Sequence, residues 1–98
     1  MTWEDAKDRL RDFSIEAGRN ASFIDTEILI SAMAYAQEFE VRLPPPNDAY
    51  LLSDGVVVFE WHHDDGTIRR VFIDGRKAEQ MTTTISGVTK FELLKGGE

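Results

Sequence analysis

The sequence predicts an α+β fold: one or two helices packed on an antiparallel β-meander of about five strands. Two patterns, and the boundary between them, carry that prediction. Up to Glu40 the apolar residues recur at the period of one helical face. From Tyr50 onward they fall in short β-branched and aromatic runs separated by Asp-Gly and Ser-Gly pairs. Between the two lies "LPPPND", whose consecutive prolines end a helix and hold the chain extended.

The first helix is expected over residues 2–13. Trp3, Ala6, Leu10 and Phe13 share one face, the other face is charged, and Thr2 with Asp5 forms a capping box. "SIEAGRNASF", residues 14–23, is expected to break the helix. Gly18 and Asn20 are helix-ending types, and Ser22 and Asp25 suit an N-cap. A second helix follows from about Thr26 to Glu40. Ile28, Ala32, Tyr35, Ala36 and Phe39 form its stripe, Leu29 and Met33 widen it, and Ile24 is placed to staple onto Leu29. The proline run, residues 43–47, reads as a stiff connector, with a polyproline docking motif as the alternative.

Five strand-like runs then fill residues 48–94: "AYLL", "VVVFEWH", "TIRRVFI", "KAEQMTTTI" and "VTKFELL". Such short loops between strands force an antiparallel meander. The chain is expected to be a single domain over 1–98.

"FEWHHDDGTIRRVF" decides the strand register. A two-residue loop at Asp65-Gly66 pairs Phe59 with Phe72, Trp61 with Arg70 and His63 with Ile68. Val57, Phe59, Trp61, Ile68 and Phe72 then share the core face. His62 turns to the other face near Arg69, and Trp61, Arg70 and Glu79 line up across three strands. A three-residue loop with Gly66 in a bulge shifts the pairing by one residue and puts Val71 and Ile73 with Trp61 instead. In either register His62 and His63 point apart, and Asp64 and Asp65 serve the turn. No metal is therefore expected.

Composition excludes several functions. The chain has no cysteine, which removes disulfides, thiolate zinc sites and a cysteine nucleophile. A net charge of −7 opposes nucleic-acid binding. The charged start "MTWEDAKDRLRDF" is not expected to be a signal peptide, and no apolar run suits a membrane span, so a cytoplasmic protein is expected. Ser14, Ser22, Ser31, Ser53 and Ser86 lack a nucleophile-elbow context, and the phosphate-loop and dinucleotide fingerprints are missing. Neither catalytic residues nor cofactors are expected.

Pro46, Asp54-Gly55, Glu60-Trp61 and Asp74-Gly75 carry a resemblance. A helix, a proline-led strand, Asp-Gly, an apolar strand ending in Glu-Trp and a second glycine-turned hairpin resemble a set of short, mostly bacterial proteins of uncharacterised function. The likeness spans roughly residues 13–80, with Phe13 where such chains often carry tryptophan. It implies an α+β fold and no particular activity.

The leading expectation is a non-enzymatic accessory module that binds another protein or itself as a homodimer. Val56, Val58, Val71 and Ile73 are its candidate interface on the second sheet face, and neither edge strand is protected by a mid-strand proline or inward charge. One alternative is a small-molecule or anion-binding module, or a minor hydrolase, built on Arg69, Arg70, Arg76 and His62. Another is an acidic inhibitor or antitoxin-like protein that neutralises a basic partner.

Overall fold

A computed structural model describes residues 1–20, 26–52, 55–75 and 77–96. Two helices, α1 (Trp3–Asn20) and α2 (Thr26–Glu40), precede five strands: β1 (Asp48–Leu51), β2 (Val57–His62), β3 (Ile68–Ile73), β4 (Lys77–Thr83) and β5 (Thr89–Gly96). The strands form one antiparallel sheet in the order β1-β2-β3-β4-β5. Each strand pairs with its sequence neighbour, as short loops require.

The capping box starts α1. The Thr2 amide donates to Asp5 Oδ2 and the Asp5 amide to Thr2 Oγ1, both at 3.0 Å. Hydrogen bonds from the Thr2 amide and then the Thr2 hydroxyl hold the Asp5 carboxyl below its ordinary value. The helix does not stop at Phe13; it runs to Asn20. One interior glycine costs only about 1 kcal/mol, and elongation of an anchored helix is cheap. Gly18 is therefore too weak a breaker. The expected caps Ser22 and Asp25 and the staple residue Ile24 lie outside the described residues. α2 has the expected bounds. Lys7 of α1 ion-pairs with Glu40 at the end of α2.

The core lies between the helices and one face of the sheet. It gathers Trp3, Ala6, Leu10 and Phe13 of α1, Ala32 and Ala36 of α2, and Ala49, Val57, Phe59, Trp61, Val71, Ile73 and Ala78 of the sheet. Trp3, Phe39 and Phe59 ring Trp61 at centroid distances of 6.2–6.4 Å. The proline link is tied into this core. Trp3 Nε1 donates to the Leu43 carbonyl (3.1 Å) and Trp61 Nε1 to the Pro44 carbonyl (2.9 Å), and Pro46 is fully buried. A buried indole needs an acceptor for its N–H, and the two link carbonyls supply it.

The β2–β3 turn has three loop residues, not two. The Gly66 amide donates to the His63 carbonyl (3.0 Å), and the His63 amide to the Thr67 carbonyl (2.9 Å). Gly66 sits at φ +85°, as a type I turn closed by a glycine bulge demands. Asp65 Oδ1 accepts from the Thr67 amide (2.9 Å), which supports this turn. The register is therefore the alternative one: Phe59 opposes Val71, Glu60 opposes Arg70 and Trp61 opposes Arg69.

That shift by one residue corrects three expectations. Val71 opposite Phe59 and Ile73 opposite Val57 lie on the core face, fully buried, and not on the second face. Ile68 and Phe72 take the second face instead. The expected Trp61–Arg70–Glu79 row does not form. Arg69 lies over the Trp61 ring, 5.5 Å from its centroid, and its Nε donates to Gln80 Oε1 at 2.7 Å.

Candidate functional site

Two layers leave a sheet with one uncovered face. Strand alternation and the observed register place Tyr50, Val58, Glu60, His62, Ile68, Arg70, Phe72, Glu79, Met81, Phe91 and Leu93 there. Among the described residues neither helix packs on this face. Val58 is nonetheless fully buried, flanked by its cross-strand partners Tyr50 and Phe72. Val56 precedes β2 at the same end and is partly buried.

The middle of the face is polar and internally satisfied. Glu60 Oε1 lies 3.0 Å from His62 Nε2 and 3.3 Å from Arg70 Nη2, and the Tyr50 hydroxyl also bonds to Glu60. Burial raises the Glu60 pKa. Hydrogen bonds from His62 and Tyr50 and the Arg70 charge oppose it and win, holding the carboxyl below its ordinary value. Burial, and then the bond to Glu60, push the Tyr50 hydroxyl up. Glu60 therefore stays ionised at neutral pH, which unsuits it to donate a proton.

The expected anion site does not assemble. Arg69 and Arg70 are adjacent in β3, so they project from opposite faces. Arg69 borders a concavity of about 240 Å³ on the helix side, with Tyr35, Phe39, Arg42 and Leu94. Arg70 is paired to Glu60 on the open side. His62 also engages Glu60, while His63 lies past the end of β2. Arg76 lies outside the described residues. Among the described residues no three His, Cys, Asp or Glu side chains cluster as metal ligands.

The apolar part of the face extends toward β5. Leu52, Val56, Phe72, Asp74, Lys77, Glu79 and Phe91 line a shallow concavity of about 290 Å³. Phe91 is 71% exposed and Leu93 53% exposed. These two residues were not among the expected interface residues. Their signal was present in the alternation of Thr89, Phe91 and Leu93 with Lys90 and Glu92, which sets apolar and charged residues on opposite faces of the last strand.

The two sheet edges differ. Arg9 of α1 reaches the β1 edge, where Nη1 donates to the Ala49 carbonyl (3.1 Å) and meets Asp48 Oδ1 at 3.3 Å. β5 pairs with β4 alone among the described residues, so its outer edge is open. Among the described residues no helix is long and apolar enough to cross a membrane. No protein-family model, curated protein or solved structure matches the chain.

Proposed function

We propose that this protein is a non-enzymatic interaction module that binds another protein, a second copy of itself first, through the exposed β5 side of its sheet. The observation that carries the proposal is the exposure of Phe91 and Leu93 beside the concavity floored by Phe72 and Val56. Solvated sheet faces carry polar side chains, and contiguous apolar ones mark contact surfaces. In the polar cluster at the middle of the face, Arg70 is already paired to Glu60, which leaves the apolar β5 side as the feature that seeks a partner. A cytoplasmic setting fits a chain without cysteine.

Sedimentation equilibrium at about 50 mM and about 300 mM salt tests this reading, because the −7 charge repels copies more at low salt. The expected result is a mass above 11.1 kDa that returns to monomer in Leu93→Ser. A monomer at both salts, together with identical protein capture from native lysate by wild type and Leu93→Ser, refutes it.

A further inference from the structure

We infer that the partner is a second copy docked edge to edge on β5, antiparallel about a two-fold axis through Phe91, so that two sheets become one. The inference rests on the interaction-module reading above and names its occupant and register.

Three observations point to this edge and this register. First, β5 is the edge left open, since the Arg9 guanidinium already occupies a β1 carbonyl. Exposed edges are templates for further pairing. Second, the regular part of β5 is centred on Phe91. The β4–β5 pairing starts at Thr89 and runs evenly to Leu93, where a bulge opposite Ala78 and Glu79 interrupts it. Thr89 to Leu93 is thus a segment of unbroken register with Phe91 at its midpoint.

Third, the charges on this segment complement themselves. In an antiparallel two-fold pair, opposite residues share a face, so the axis must pass through a residue. Through Phe91, Lys90 of each copy faces Glu92 of the other, and Phe91 faces its own mate with Leu93 and Thr89 alongside. Through Glu92, two carboxylates meet; through Lys90, two ammonium groups meet. Like charges directly opposite are destabilising, so only the Phe91 register satisfies both residues. Within the subunit their cross-strand neighbours are neutral, Thr82 for Lys90 and Gln80 for Glu92, and among the described residues neither makes an ion pair.

Charge reversal tests this register. Lys90→Glu and Glu92→Lys each replace two attractive cross-strand pairs by two repulsive ones, so each should raise the dimer dissociation constant about tenfold or more. Mixing the two variants should restore wild-type affinity, because glutamates of one copy then face lysines of the other. Both positions are exposed, and urea midpoints of the separate variants check that they fold.

A second test uses the absence of cysteine. Phe91→Cys should close an intermolecular disulfide on mild oxidation, since directly opposed Cα atoms lie about 4.5–5.5 Å apart. Glu92→Cys should not, because its mate is offset along the strand to about 8 Å. A dimer whose affinity ignores both reversals, or a Glu92→Cys that crosslinks as readily as Phe91→Cys, overturns the β5 register while leaving self-association standing. A wild-type monomer at every concentration overturns the second-copy assignment, and the open face then serves a different protein.

Discussion

Replacing Trp61 tests the core assignment and the observed register together. Its side chain is 3% exposed, ringed by Trp3, Phe39 and Phe59, stacked under Arg69 and hydrogen-bonded through Nε1 to the Pro44 carbonyl. A buried aromatic removes about 150–250 Å² from water, and about 25 cal/mol per Å² converts this to about 4–6 kcal/mol. Alanine keeps part of that, and large aromatics cut to alanine in packed cores cost about 3–5 kcal/mol. The lost hydrogen bond adds less than about 1 kcal/mol, because Pro44 is exposed and water can replace the indole.

Total stability for a domain of this size is about 5–15 kcal/mol, so Trp61→Ala should lose a large share of it. Trp61→Phe keeps a ring in place and should cost about 1–2 kcal/mol. It keeps the test readable if the alanine variant does not fold. Urea unfolding followed by far-UV circular dichroism measures both, since Trp3 and Trp61 are the two tryptophan fluorophores and one is being removed. An alanine variant within about 1 kcal/mol of wild type would refute the placement of this face in the core. Equal losses for Phe and Ala would move the energy from packing to the Pro44 hydrogen bond.

The Glu60 cluster predicts a pH effect. Its folded pKa lies below the ordinary 4.5, so its contribution is fully present above that value and is lost as pH falls through the lower folded pKa. Glu60→Gln should be about 1 kcal/mol less stable than wild type at neutral pH, and urea midpoints should converge in acid. The lowered Asp5 and Asp65 carboxyls titrate alike in both proteins and cancel from the comparison. A gap that persists unchanged to the most acid pH at which both proteins still fold would assign the loss to shape rather than charge. Gly66→Ala should cost about 1–3 kcal/mol, from φ +85° rather than from the added Cβ, which would lie 2.9 Å from Ile85 Cδ1. Ile85 is 81% exposed and can swing aside, so Gly66→Ala with Ile85→Ala should recover little; full recovery would place the cost in the contact.

The helical stripes were legible because burial follows the period. Trp3, Ala6, Leu10 and Phe13 are all buried, at the spacing the sequence shows. The five strands were legible because Asp-Gly and Ser-Gly punctuate them. The length of α1 was not. A glycine and an asparagine are weak local stop signals, and whether the helix continues depends on cooperative propagation from a packed start.

Register was the consequential ambiguity. Asp65-Gly66 suits a two-residue loop, and His63 to Thr67 equally closes a three-residue one. The choice rests on which residues then become core. With the longer loop, Val71 and Ile73 join Trp61 under the helices and Arg69 stacks on its ring; with the shorter one, Ile68 and Phe72 would. One residue of slip exchanges the two faces of a strand, so every site assignment on β3 moved with it. The two arginines separate in either register, because adjacent strand residues project from opposite faces, and the expected anion site fails for that reason.

Element types, their order and the meander topology follow from the chain's local pattern, because periodicity, turn chemistry and loop length are local. That pattern also held the alternation on β5 that marks Phe91 and Leu93. Long-range packing set which sheet face the helices cover, which edge Arg9 reaches and which turn closes β2 onto β3. Those outcomes depend on contacts between residues far apart in the chain, such as Trp61 with Pro44 and Arg9 with Ala49, and no local pattern encodes them.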